Sequence, residues 1–202
     1  MSHDRWVTEI RPAGKDRCEV VCESEDSFIL YRQEIERYGI EAQSACSGET
    51  FDRICEEVFR GRAKKRCMYL LERQDYTEAQ IRRKLEEGRY PSGIIDETVE
   101  WLYSFHALDD RRYTENFLRT NRDRYSRRTL EEKLLQRGIP KTLTAQVMEE
   151  GISFMPDEAA QIREILARKQ YDPVRASAQE TDQIRQMLAR KGYGYDLIRK
   201  LT

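Results

Sequence analysis

The stretch IRRKLEEGRY, residues 81–90, returns twice later in the chain in altered form. It reads LEEKLLQRGI over residues 130–139 and IRQMLARKGY over residues 184–193. Each copy places two aliphatic residues four positions apart, then a glycine, then another aliphatic or an aromatic residue. Residues four apart share one face of a helix, so the stretch predicts an amphipathic helix that ends near its glycine.

The three copies share one spacing of apolar anchor residues. The anchors are Ile81, Leu85, Tyr90 and Ile94; Leu130, Leu134, Ile139 and Leu143; and Ile184, Leu188, Tyr193 and Leu197. Gly88, Gly138 and Gly192 are expected to let the chain turn after each helix. With a further helix ahead of it, each copy predicts a three-helix module of roughly 45–55 residues, and tandem stacking supplies stability that one module lacks.

The third copy departs from the other two. Tyr171 stands thirteen residues before Ile184, whereas Tyr76 and Tyr125 stand five residues before the first anchors of their own copies. The difference predicts an added loop or a longer helix around residues 171–180.

The first sixty residues show a different pattern, in which apolar and polar residues alternate. Residues 6–11 alternate, turn residues follow, and the alternation resumes over residues 17–22 and 27–30. We expect a two- or three-stranded meander covered by a helix from residues 31–39 or from the run after Glu49. From Phe51 onward apolar residues recur at three- and four-residue intervals, which indicates helix.

The predicted fold class is mainly α: an elongated tandem array of three three-helix modules, preceded by a small N-terminal β-meander and helix segment. We place an acidic β-hairpin and helix at residues 1–60, the first repeat at 61–108, a basic second repeat at 109–153 and the third repeat at 154–202. Residues 1–59 hold seven basic and fourteen acidic side chains, whereas residues 111–141 hold ten basic and four acidic. This asymmetry favours a polyanionic partner or one patterned in charge.

Catalytic and cofactor motifs are absent from the sequence. It contains no GxGxxG, GxxxxGK[ST], HExxH or GxSxG pattern, and only two histidines, His3 and His106. The five cysteines lack the CxxC spacing of a closed zinc site, and Cys18 and Cys22 with His3 form only a weak alternative. We expect a protein that is not an enzyme, with free thiols, no metal and no cofactor.

The location of the protein is predicted from its apolar segments. The longest run without a charged residue, residues 101–108, is far shorter than the roughly 18 apolar residues that span a bilayer. The first residues, MSHDRWVTEI, lack the apolar segment of a signal peptide. We expect a cytoplasmic monomer that makes no membrane contact.

Basic side chains crowd the junction between two predicted helices of the second repeat. They are Arg119, Arg122, Arg124, Arg127, Arg128 and Lys133. Four-residue spacing predicts ion pairs, as on an ordinary solvated face, of Glu115 with Arg119, Arg127 with Glu131, and Arg128 with Glu132. Arg122 and Arg124 have no acidic residue four positions away, so we favour contact with phosphates or an acidic protein surface. Matching basic residues are Arg82, Arg83 and Lys84 in the first repeat and Arg190 and Lys191 in the third.

Three segments resemble the RecX family: YLLERQDYTEAQIRRKLEEGRY (69–90), LDDRRYTENFLR (108–119) and LEEKLLQRGIP (130–140). The repeated helix–glycine–aliphatic unit and the Leu-Asp-Asp-x-x-Tyr segment are together specific to that family. RecX proteins regulate the bacterial RecA recombinase. The resemblance implies binding to RecA assembled on single-stranded DNA, and inhibition of its recombinase, ATPase and coprotease activities in DNA repair and the SOS response.

Two other functions fit the residues alone. A direct DNA-binding helical repeat protein would bind naked single- or double-stranded DNA with strong salt dependence. Tyr76 and Tyr125 could then stack on bases, although half-buried packing at a helix start is the commoner role. A helical adaptor for another protein would show no dependence on DNA.

Overall fold

The protein is mainly helical with a small N-terminal antiparallel sheet, which confirms the predicted fold class. The computed structural model describes residues 3–23, 27–151 and 155–202. The chain forms two compact units, Met1–Leu108 and Asp109–Thr202. The predicted boundary between residues 153 and 154 lies outside the described residues, and the division into four segments stays a prediction.

The sheet of the first unit is built from alternating strands. The strands are β1 (Arg5–Pro12), β2 (Arg17–Cys22), β3 (Ser27–Tyr31) and β4 (Ser44–Cys46), in the antiparallel order β3-β2-β1-β4. Within the described part of the chain, β4 is one strand more than predicted. Its three residues are too few to show an alternating pattern, and its position is fixed by pairing with β1 rather than by its own sequence.

Helices cover the sheet and share its hydrophobic core. They are α1 (Arg32–Tyr38), α2 (Gly48–Ile54), a π-helical turn (Cys55–Phe59), α3 (Arg60–Leu71), α4 (Glu78–Glu86) and α5 (Ser92–Ser104). Phe28 of β3 meets Phe51 and Phe59 edge to face, with ring centroids 5.4 and 5.9 Å away. The anchors Ile81 and Leu85 lie in the same core, so the sheet supports the first repeat directly.

The second unit contains two three-helix bundles. The first consists of α6 (Asp110–Asn121), α7 (Arg127–Gln136) and α8 (Lys141–Glu150), and the second of α9 (Glu158–Arg168), α10 (Ala178–Arg190) and α11 (Tyr195–Leu201). Leu130 and Leu134 are fully buried in one bundle, and Leu188 and Ile198 in the other. A loop after Tyr171 and the thirteen-residue α10 account for the extra residues of the third copy.

The turn after each anchor helix shows that the role expected of Gly88 is wrong. Gly138 and Gly192 adopt positive φ, each 86°, but in the first copy the residue with positive φ is Arg89, at 55°. The geometry requires a left-handed residue directly before the third anchor of each copy. The backbone amide of that anchor donates to the carbonyl of the second anchor, as Tyr90 does to Leu85. Gly88 instead leaves room for Tyr90, whose ring would lie 2.8 Å from an added Cβ.

Two single substitutions at this turn should change the free energy of unfolding in opposite directions. Arg89→Gly is expected to raise the free energy of unfolding by about 0.5 kcal/mol, because glycine adopts positive φ without strain. Gly88→Ala is expected to lower it by about 2 kcal/mol, because the new methyl group meets the Tyr90 ring. Urea unfolding followed by circular dichroism measures both changes. A loss for Arg89→Gly as large as that for Gly88→Ala would contradict this assignment.

Candidate functional site

The predicted basic residues of the second repeat lie on α6, on α7 and on the turn between them. Arg127 pairs with Glu131 and Arg128 with Glu132, both at 2.9 Å, which confirms two of the predicted ion pairs. The third expected acidic partner, Glu115, accepts a hydrogen bond from Arg111 at 3.1 Å, and Arg119 donates to Asn116 at 3.2 Å.

The two arginines singled out from the sequence lie in different surroundings. Arg122 is half-buried, and its Nε lies 3.7 Å from a carboxylate oxygen of the neighbouring Asp123. Arg124 is exposed, and its guanidinium carbon lies 5.7 Å from the centre of the Tyr125 ring. Of these two, Arg124 presents its charge more openly.

The basic residues of the first repeat are largely engaged within their own unit. Arg82 bonds to Glu78 at 2.7 Å and to Asp96 at 2.6 Å, which ties α4 to α5. These hydrogen bonds, that to Asp96 first, raise the pKa of the Arg82 guanidinium. Lys84 pairs with Glu87 at 2.8 Å, and Arg83 is exposed. This cluster therefore contributes more to holding two helices together than to an open surface.

The second unit contains a groove of about 590 Å³ where its two bundles meet, which we call the basic groove. Its cations are Arg124, Lys133, Arg168, Arg190 and Lys191. Among the described residues its carboxylates are Asp123 and Glu164, and the latter pairs with Arg168. The structure thus brings together basic residues that the sequence had assigned to two separate repeats. Arg119, Arg122, Arg127 and Arg128 lie outside the lining of this groove.

Tyr125 forms part of the groove wall. It is half-buried against the core of its bundle, which agrees with the packing role favoured from the sequence. Its ring also holds a cation, because Lys133 Nζ lies 4.6 Å from the ring centre. The ring therefore helps to fix the positive charges of the groove. Tyr76 likewise packs against the core of the first unit.

Hydrogen bonds between the two bundles fix the groove. Ser126 Oγ and Thr129 Oγ1 both donate to the backbone carbonyl of Lys191, at 2.8 and 3.0 Å. Gln161 is buried; its amide nitrogen donates to the carbonyls of Arg122 and Tyr125, in the turn between α6 and α7, and its amide oxygen accepts from the Tyr193 hydroxyl at 3.0 Å. Ser126, Gln161 and Tyr193 are buried and paired, so the spacing of the cations across the groove is held in advance of any binding.

The site chemistry is that of anion binding. Five cations around one concavity attract phosphate or carboxylate groups, and arginine forks match the geometry of either anion. Among the described residues no group of three or more His, Cys, Asp or Glu side chains could hold a metal ion. None of the helices in the described ranges has both the length and the apolar composition of a membrane span. The five cysteines are free thiols, and burial raises the pKa of Cys55 and Cys67 to about 11, so both are poor nucleophiles.

Sequence reasoning missed Arg168 as a member of the groove. Its spacing from Glu164 indicates an ordinary ion pair on a helix face, and that pair does form. Its approach to Arg124 and Lys133 depends on how the second bundle packs on the first. No short-range pattern carries that information.

Comparison with known proteins identifies the first two repeats. Residues 63–102 match the family description "RecX, first three-helix domain", and residues 109–148 match "RecX, second three-helix domain". A Regulatory protein RecX of Trichlorobacter lovleyi is 33% identical over 136 residues, which cover 65% of this chain and 88% of that protein. A Regulatory protein RecX of Clostridium botulinum (strain Eklund 17B / Type B) is 26% identical over 199 residues, covering 96% of this chain and 92% of the relative.

Solved structures show the same fold. A crystal structure of regulatory protein RecX superposes with a TM-score of 0.63, at 16% identity, and covers 98% of both chains. RecX from Lactobacillus salivarius gives a TM-score of 0.59, at 18% identity, over 71% of this chain and 94% of that one. The matching repeats, the related sequences and the common fold agree, and the chain belongs to the RecX family.

Proposed function

We propose that this protein is a non-enzymatic regulator that binds RecA assembled on single-stranded DNA and inhibits its recombinase, ATPase and coprotease activities. Membership of the RecX family, whose curated relatives are named regulatory proteins, supports a regulatory role. RecA is proposed as the partner because the sequence resembles the RecX family. The observation that carries the proposal is the basic groove, in which cations of two successive bundles meet.

The groove suits a nucleoprotein filament for electrostatic reasons. Phosphates of the bound strand and acidic side chains of the protein coat are both anions that the five cations attract. A filament repeats its surface at regular intervals, and a chain built from repeated modules can combine several weak contacts through effective concentration. Such binding would hinder strand exchange and filament growth without any chemistry by the regulator itself.

An ATPase titration tests the proposal. RecA with saturating single-stranded DNA and ATP is mixed with increasing amounts of the full-length protein, and phosphate release is followed. We expect the rate to fall to a low plateau as the regulator approaches stoichiometry with the filament. A rate that does not change at any ratio would refute inhibition.

Direct DNA binding is the second candidate, and the open position of Arg124 in the basic groove favours it. This function predicts tight binding to naked single- or double-stranded DNA, with the logarithm of the binding constant falling linearly with the logarithm of salt concentration. Fluorescence anisotropy with labelled DNA and no RecA separates the two functions. Tight naked-DNA binding together with an unchanged RecA ATPase would favour the second candidate.

A further inference from the structure

The first unit contains a cation-rich concavity of its own, which we call the α3 pocket. It has a volume of about 650 Å³ and is bounded by β2, β3, α3 and the turn after α4. Arg62, Lys65, Arg66 and Tyr69 all line it. These residues recur at three- and four-residue spacing, so one face of α3 forms the basic wall. The site lies in the first unit, whereas the basic groove lies in the second.

The charge of the pocket is incompletely neutralised. Its cations are Arg17, Arg62, Lys65, Arg66 and Arg89, and its carboxylates are Glu19 and Glu87. Glu19 forms an ion pair with Arg89 at 3.4 Å and accepts a hydrogen bond from the Ser27 hydroxyl at 3.0 Å. Glu87 is engaged by Lys84 at 2.8 Å. No ion pair within 4.0 Å joins Arg17, Lys65 or Arg66 to another described residue, although the charge of Arg66 helps to lower the pKa of Glu87, after the larger effect of its hydrogen bond from Lys84. The five cations of the pocket therefore outnumber its two carboxylates.

Arg66 carries the clearest sign that an acceptor is missing. Its Nε is buried and has no hydrogen-bond partner among the described residues. A guanidinium N–H that is withdrawn from water without an acceptor is costly, and a bound anion would relieve that cost by drawing the Arg66 guanidinium toward the pocket. The charge of Arg66 also acts on half-buried Tyr90. Burial raises the pKa of the Tyr90 hydroxyl, and the positive charge of Arg66 partly offsets that rise.

Aromatic rings stand beside these cations. Tyr31 and Tyr69 line the pocket and are 42% and 52% exposed. The Arg73 guanidinium carbon lies 4.1 Å from the centre of the Tyr69 ring and covers one face of it. The Arg62 guanidinium lies 4.7 Å from the centre of the Tyr31 ring and is fixed by Glu34 and by the carbonyl of Ile29. Exposed tyrosine faces next to guanidinium groups are the arrangement that proteins use to hold a planar base next to a phosphate.

We propose that the α3 pocket binds a nucleotidyl phosphate, with the phosphate held by Arg66, Lys65 and Arg17 and the base stacked on Tyr69 or Tyr31. Its volume lies within the range of roughly 300–1,000 Å³ typical of small-ligand sites. Four of its five cations are arginines, whose planar forks match phosphate oxygens. An acidic peptide would satisfy the cations but would make no use of the open rings.

A matched pair of lysines provides the test. Lys65 lines the pocket, whereas Lys64 is its neighbour on α3 and lies with its Nζ 4.9 Å from the Trp101 ring, outside the pocket. Binding of fluorescein-labelled tetrathymidylate to the full-length protein is measured by anisotropy without RecA. Both lysine variants are made in a background with Arg124→Ala and Arg190→Ala, which removes charges of the basic groove.

We expect Lys65→Ala and Arg66→Gln each to weaken tetrathymidylate binding roughly tenfold, and Lys64→Ala to change it less than about twofold. Tyr69→Ala should weaken binding by a similar factor, while Tyr69→Phe, which keeps the ring, should not. Competition by ATP as strong as by unlabelled tetrathymidylate would assign the pocket to free nucleotides, and competition by the strand alone would assign it to single-stranded nucleic acid.

Three results would overturn the pocket assignment: no binding by the parent protein, equal losses for Lys64→Ala and Lys65→Ala, or displacement by tetraglutamate as effective as by ATP. Circular dichroism of each variant checks that the fold is retained. The assay contains no RecA, so its outcome is separate from that of the ATPase titration, and either proposal can fail while the other stands.

Discussion

Replacing Gly192 by alanine is expected to lower the free energy of unfolding of the second unit by about 3 kcal/mol. Gly192 has a φ of 86°, which strains any residue with a Cβ. An added Cβ would also lie 2.6 Å from Ser126 Oγ and 2.8 Å from Thr129 Oγ1. Those two hydroxyls donate to the carbonyl of Lys191, so relieving the clash breaks hydrogen bonds between the bundles as well.

Urea unfolding followed by the helical circular dichroism signal measures this change. Gly194→Ser is the matched control, since Gly194 caps α11 only two residues away, has ordinary φ and has open space around its Cα. Serine is a favourable N-cap residue, so the control should be neutral or slightly stabilising. A Gly192→Ala protein as stable as the control would show that the two bundles are not joined at this carbonyl.

Reversing three charges of the basic groove should have the largest functional effect. The variant Arg124→Glu, Arg168→Glu, Arg190→Glu turns a cation-rich concavity into an acidic one. We expect the protein concentration that half-inhibits the RecA ATPase to rise by about 100-fold, because like-charge contact replaces attraction at several positions of one interface. The DNA-dependent ATPase titration measures it.

The control for this variant changes net charge by the same amount elsewhere on the second unit. Arg163, Arg175 and Lys200 are exposed and do not line the groove, so their replacement by glutamate should leave inhibition within a fewfold of the parent protein. Equal losses in the two variants would mean that overall charge, not the groove, governs inhibition.

The repeat architecture could be predicted because it depends on local spacing. Anchors such as Leu85, Leu134 and Leu188 are fully buried, and the period that places them on one helix face is written in adjacent residues. The glycine of the first copy stands one position earlier than Gly138 and Gly192 do in theirs, and the left-handed position falls on Arg89, directly before Tyr90. Glycine is the usual residue in that conformation, so its neighbour Gly88 was given the role.

The sites depend on contacts between distant segments and were therefore harder to predict. Arg124 and Lys133 were identified because their repeat is conspicuously basic. Arg168 joins them only through the packing of α9 beside α7, and the α3 pocket arises where α3 lies beside β2 and β3. Arg62, Lys65 and Arg66 were not predicted as site residues, because basic residues at three- and four-residue spacing are also typical of an ordinary solvated helix face.

Co-sedimentation with RecA filaments tests most directly whether the basic groove binds the filament. RecA is assembled on single-stranded DNA with a slowly hydrolysed ATP analogue, and the full-length protein is titrated in and pelleted. If the basic groove binds the filament, the parent protein and the Arg163, Arg175, Lys200 control co-sediment saturably, and the groove variant does not. Parent protein that stays in the supernatant, or a groove variant that pellets equally well, would contradict it.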